Sequence, residues 1–120
     1  LGNSIDLTDC ITEAIREKKG KEIVNMNLVR LGYAMCDNFI VCHGDSTTQV
    51  SAIAESIEEK VKELTNIRLA HREGSEHARW ILLDYGTVVV HVFLKEARDY
   101  YRLEDLWGDA DISILQEEEY

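Results

Sequence analysis

The segment from Asn38 to Leu64 constrains the fold more than any other. Asn38-Phe39-Ile40-Val41-Cys42-His43 is a short apolar run, the pattern of a buried strand. Gly44-Asp45 interrupts it, and Ser46 with Gln49 three residues later has the spacing of a capping box, which satisfies two otherwise unpaired backbone donors. Beyond the cap, Val50, Ile53, Ala54, Ile57, Val61 and Leu64 form one helical stripe, with Glu55, Glu58, Glu59, Lys62 and Glu63 on the outside. A buried strand that feeds directly into a long amphipathic helix calls for a sheet with helices packed on it.

A second unit lies between Arg79 and Leu94, where two strands flank Asp84-Tyr85-Gly86-Thr87. With Tyr85-Gly86 as a two-residue loop, 84 faces 87, 82 faces 89 and 80 faces 91. Tyr is a poor residue for the first position of a primed turn, which weakens that register. One face of this hairpin is all aliphatic (Ile81, Leu83, Val88, Val90, Val92) and must be core. The other carries Trp80, Leu82, Asp84, Thr87, Val89 and His91. Either a helix covers that mixed face, as happens on two-sided sheets, or it is a protein-binding patch.

The remaining elements complete an α-β-β-α-β-β-β-α order. Ile5 to Lys19 reads as an amphipathic helix with Cys10, Ile11, Ala14 and Ile15 inward, extended by the Lys18 stem and stopped by Gly20. Glu22 to Leu28 reads as a strand, and Ile67 to His71 as a short extended piece. Lys95 to Trp107 reads as helical, with Ala97, Tyr100, Tyr101 and Leu103 among its apolar members. The expected fold is therefore α/β (α+β): one domain over residues 1–112 with a five-stranded mixed sheet. An acidic tail over 113–120 is expected to fray.

Charge narrows the function classes. The net charge is −10, and from Leu94 onward nine acids face only three bases. Such a chain is repelled by phosphate backbones, so no direct nucleic-acid readout is expected, whereas a basic protein would attract it. No apolar run reaches the roughly 18 residues of a membrane span, and no signal-peptide pattern opens the chain. Three cysteines, Cys10, Cys36 and Cys42, cannot all pair, which fits free thiols in a reducing, cytoplasmic setting.

Catalysis finds no support in the residues. Nucleotidyltransferase chemistry needs paired carboxylates on a rigid strand to hold magnesium. The single D-x-D, Asp109-Ala110-Asp111, lies in the acidic C-terminal region instead. His43, His71, His77 and His91 match no metal-binding spacing, and His71 and His77 fall on expected loops. Cys42 and His43 would point to opposite faces of a strand and cannot share a proton. No cofactor is expected, and the chain is not expected to be an enzyme. The mixed hairpin face remains, with Trp80 as the side chain type most enriched at binding hot spots.

Three collinear blocks resemble the RsfS/Iojap family of ribosomal silencing factors. Asn38 to Ser46, then Gln49-Val50 and Ala52-Ile53-Ala54, is similar to the family's D-x-F-V-I-C-S-G-x-S-x-x-Q-V-x-A-I-A block. Glu73-Gly74, Ala78 to Gly86 and Val88 to Phe93 look like its second block, and Arg98-Asp99-Tyr100-Tyr101-Arg102-Leu103-Glu104-Asp105-Leu106-Trp107 like its closing signature. The resemblance implies a sheet shaped like that of nucleotidyltransferases but without their catalytic carboxylates. It also implies binding to protein fourteen of the large ribosomal subunit, a basic protein, with steric exclusion of the small subunit and repression of translation. Trp80 is then the first candidate contact, followed by Leu82, Asp84, Val89 and His91 on its face and by Tyr101, Leu103 and Trp107 from the closing signature. His43 stands where the family often has Ser, and Thr87 where it often has Asp. A homodimer of the free protein is open, as are two other classes, a nucleotide-acting enzyme and a dimerisation module without ribosome binding.

Overall fold

The computed structural model describes residues 6–32 and 36–115. Helix α1 (Leu7–Glu17) leads into β1 (Lys21–Asn27), a 3-10 turn (Val29–Leu31), β2 (Asn38–Gly44) and α2 (Thr47–Leu64). Then come β3 (His71–Glu73), β4 (Trp80–Asp84), β5 (Val88–Leu94), α3 (Lys95–Tyr101), the one-turn α4 (Leu103–Leu106) and β6 (Asp111–Leu115). The six strands form one mixed sheet in the order β3-β4-β5-β2-β1-β6. Among the described residues only the central pair, β2 with β5, is parallel; the other four pairs are antiparallel. No helix among the described residues is long and apolar enough to cross a membrane.

The two faces of the sheet differ. Ile23, Ile40, Cys42, Ile81, Leu83, Val90 and Val92 are buried on one side, beneath α1 and α2. The stripe on α2 meets this face as expected through Val50, Ile53, Ala54, Ile57 and Val61. Complete burial of each Val or Ile there is worth about 1.5–3 kcal/mol. Leu64 departs from the stripe: it is the last helical residue and is 45% exposed. Likewise Cys10, Ile11, Ala14 and Ile15 are buried on α1, whereas Lys18 lies past the helix end and is exposed. Ile5, the expected start of that helix, lies outside the described residues.

The cap of α2 forms with a different partner set from a capping box. Ser46 Oγ accepts the Gln49 backbone N–H at 3.1 Å, as expected. Gln49 Oε1 reaches one residue further back, to the Asp45 N–H at 2.7 Å. Its Nε2 donates to the Lys18 and Lys19 carbonyls, both at 3.1 Å, so one amide joins the start of α2 to the end of α1. The Ser56 hydroxyl adds a buried bond to the Ala14 carbonyl at 3.0 Å.

Four expectations need correction. The sheet has six strands, because Ile112 and Ile114 alternate with polar residues and pair with Met26 and Val24 of β1. This strand takes in Ser113 to Leu115 of the expected tail; 116–120 lie outside the described residues. The hairpin pairs Asp84 with Val89, Leu82 with His91 and Trp80 with Phe93, two residues from the expected register. Tyr85 N–H bonds to the Val88 carbonyl at 2.9 Å, so these two residues face each other across Gly86-Thr87, which spares Tyr85 a primed-turn position. Because side chains alternate with period two, a two-residue slip leaves both faces intact. The short extended piece is also displaced, to His71–Glu73, which puts His71 on a strand. Finally, the expected single helix over 95–107 breaks at Arg102, which adopts φ 49° and ψ 56° and separates α3 from α4.

Candidate protein-binding surface

On the other side of the sheet, the cross-strand pairs place Trp80 by Phe93, Leu82 by His91 and Asp84 by Val89. The parallel pairing of β2 with β5 adds Phe39 beside Val89 and His43 beside Phe93. Helices α3 and α4 cover only part of this face. The result is a half-buried aromatic strip. Trp80 lies 4.8 Å from Phe93 and 4.9 Å from Tyr101, centroid to centroid. Phe39 meets His91 edge-on at 4.6 Å and Trp107 edge-on at 5.3 Å. Such pairs stabilise each other beyond their buried area.

Within the strip, the Trp80 indole Nε1–H donates to His91 Nδ1 at 3.0 Å. The His91 ring is 4% exposed, and burial pushes its pKa down to about 4, so it is neutral near pH 7. Tyr101 is 52% exposed at the rim. Beyond it Tyr100 and Leu106 project further into solvent.

A buried polar cluster holds α3 against the sheet. Arg98 is 7% exposed and contacts His43 Nδ1 at 3.0 Å, the Lys21 carbonyl at 3.4 Å and Glu104 at 3.2 Å. A guanidinium only donates, so His43 Nδ1 must be an unprotonated acceptor. Glu22, at 3.6 Å from the same nitrogen, therefore makes no true ion pair there. Burial first, and the Arg98 charge second, lower the His43 pKa in agreement with that assignment. By bridging α3 to Glu104 at the start of α4, Arg98 sets where Tyr101 and Trp107 stand.

The expected site residues divide accordingly. Trp80, Leu82, Val89 and His91 share one face as anticipated, with Tyr101 and Trp107 brought against it. Asp84 is on that face, but its Oδ1 accepts the Gly86 N–H at 2.8 Å, so the carboxylate ties the β4–β5 loop. Leu103 is buried and packs in the core. Sequence reasoning missed Phe93, which shares the parity of Val89 and His91, and Phe39, whose neighbours come from β5. Tyr100 and Leu106 belong to the closing signature, yet helical spacing alone did not mark them as exposed.

Among the described residues no group of three His, Cys, Asp or Glu side chains converges as a metal site would require. Cys42 sits on the α2 side with its thiol pushed up to about 12 by burial, while adjacent His43 faces Arg98 on the other side. Asp111 pairs with Arg30 at 2.9 Å, and the Asp109 carbonyl accepts from the same guanidinium.

Comparison with known proteins agrees over nearly the full length. The family model described as "Ribosomal silencing factor during starvation" matches residues 2–119. The chain is 44% identical over 111 residues to the ribosomal silencing factor RsfS of Halalkalibacterium halodurans, covering 92% of this chain and 93% of that one. It is 42% identical over 102 residues to RsfS of Bacillus subtilis, covering 85% of each. A crystal structure of a Chromobacterium violaceum protein superposes with a TM-score of 0.81 at 38% identity, covering 92% of both chains.

Proposed function

Because this chain belongs to the ribosomal silencing factor family, we propose that it binds protein fourteen of the large ribosomal subunit through the Trp80 strip and so keeps the small subunit from joining. Its products are then idle large subunits rather than a chemical change. The observation that carries this reading is the partly open aromatic strip, with Trp80 at its centre. A partly buried indole already seated between Tyr101 and Phe93 matches the composition of interface hot spots and loses little freedom on docking.

Charge supports the choice of partner. The net −10 attracts a basic ribosomal protein at long range, and Glu104, Asp105, Asp109 and Asp111 lie in the segment that follows the strip's helix. Long-range attraction raises the association rate, whereas the aromatic contacts set the lifetime of the complex. A cytoplasmic location follows from this reading.

Co-sedimentation with purified large and small subunits at moderate salt tests the proposal. Selective pelleting with the large subunit, together with fewer joined ribosomes in the same gradient, is the expected result. Trp80→Ala should weaken that binding by about 2 kcal/mol or more, roughly thirtyfold, without unfolding the protein. Undiminished binding by a folded Trp80→Ala variant would remove the strip from the interface. A folded wild-type protein that pellets with neither subunit, while the Bacillus subtilis relative does, would overturn the function.

A further inference from the structure

We infer that His91 is a positioning residue, an unprotonated acceptor that fixes the Trp80 indole in the orientation the strip presents. The inference rests on the strip being the binding surface, but the contact itself belongs to the free protein and can be measured there.

The register makes the pairing a deliberate reach rather than a consequence of adjacency. Directly across from His91 stands Leu82, and across from Trp80 stands Phe93. The indole leans diagonally along β5 to place Nε1 3.0 Å from His91 Nδ1. An indole N–H only donates, so Nδ1 must be bare and the neutral ring must carry its proton on Nε2. That Nε2–H is buried and has no hydrogen-bond partner among the described residues.

A stranded donor tells what the ring is for. Unmade hydrogen bonds of buried donors destabilise a fold, and a phenyl ring would fill this space without one. What the imidazole adds is the acceptor at Nδ1. The ring can serve as a fixed post because it is itself clamped, with Phe39 edge-on at 4.6 Å and Phe93 roughly parallel at 6.3 Å. Trp80, by contrast, is only half-buried and sits at the start of its strand. Its side-chain torsions have several staggered wells to choose among. The bond to His91 selects the well in which the indole also meets Tyr101 at 4.9 Å. A partner then meets one arrangement instead of paying to select it, since affinity scales with the populated fraction of the competent state.

The test joins a measurement on the free protein to one on binding. Nitrogen-15 NMR should show His91 protonated at Nε2 and bare at Nδ1, and the Trp80 indole N–H should exchange slowly with solvent. His91→Phe keeps the ring and removes the acceptor, so indole exchange should accelerate about tenfold or more. His91→Asn puts an amide oxygen near the place of Nδ1 and should recover part of the protection, serving also if the Phe variant does not fold. Affinity for large ribosomal subunits of Bacillus subtilis should fall about tenfold in His91→Phe and less in His91→Asn, if pinning sets the competent fraction. A proton found on Nδ1, or unchanged indole exchange in a folded His91→Phe, overturns the inference. So does a folded His91→Phe that binds normally while Trp80→Ala does not. Normal binding by both variants instead sinks the assignment of the strip as the binding surface.

Discussion

Replacing Gly74 by Ala should harm the protein far more than the same change at Gly86, and the difference can be worked out from the backbone. Both glycines have positive φ, +85° at Gly74 and +87° at Gly86. An L side chain in that region costs about 1–2 kcal/mol. At Gly86 that is the whole effect, because a Cβ there has nothing within 4 Å. At Gly74 a Cβ would lie 1.9 Å from the Trp80 carbonyl oxygen and 2.9 Å from its carbon. Neither atom is a flexible side-chain end, so β4 must move where it enters the sheet. Forced overpacking of this kind adds about 1–3 kcal/mol, for a total near 3 kcal/mol or above. With an unfolding entropy of about 2.1 cal/mol/K per residue over 120 residues, each kcal/mol shifts Tm by about 4 °C. Gly74→Ala should therefore melt about 12 °C or more below the wild type, and Gly86→Ala about 4–8 °C below. Thermal unfolding by circular dichroism measures both, and Trp fluorescence reports whether the indole shifts with its backbone. Two variants of equal stability would refute the claim that the approach of Gly74 to β4, rather than its φ alone, requires glycine.

Acid should weaken the fold through the histidines. A neutral buried His91 with a pKa near 4, against 6.5 when unfolded, contributes stability that is full above pH 6.5 and lost as pH falls toward 4. Between pH 7 and pH 5 this amounts to about 2 kcal/mol, with His43 acting in the same direction, and urea unfolding at the two pH values should show it. A pH-independent midpoint over that range would contradict a buried neutral His91. Thiol labelling should separate the cysteines: Cys42, fully buried and pushed up to about 12, should react only on unfolding, whereas half-buried Cys36 should react first in the native state. Rapid native labelling of Cys42 would mean that β2 opens readily. Gln49→Ala should cost about 1–2 kcal/mol by removing its three bonds, and Gln49→Glu should recover little, because a carboxylate faces two carbonyl oxygens. If Gln49→Glu matches the wild type in chemical unfolding, the link to α1 is not made by the amide.

How far the sequence could be read depends on which periodicities are local. The stripe on α2 and both faces of the β4–β5 hairpin were legible because period 3.6 and period 2 need only neighbouring residues. The faces even survived a misplaced register, since a slip of two residues preserves side-chain parity. β6 was hidden because its alternation is brief, sits among acids, and acquires its meaning only from β1, far back in the chain. Phe39 was missed for the same reason: nothing near it shows that β2 lies beside β5. The break at Arg102 was illegible because a non-glycine residue takes the left-handed conformation there, and Arg98 anchors the turn from four residues before. Asp84 had the right face, but a short acidic side chain next to a glycine loop bonds to the loop first.

The central position of the parallel β2–β5 pair has a consequence for how the protein comes into being. Its two strands flank α2, β3 and β4 in sequence, so the middle of the sheet cannot close until most of the chain has been made. Parallel pairs of this kind must absorb the closure of a long loop before contacts reward it, which slows folding. The strip is later still, because Phe39 waits for Val89 and His91, and Trp107 follows after α3. During synthesis the nascent chain thus carries no finished aromatic strip, and an early segment holds neither Trp80 nor His91.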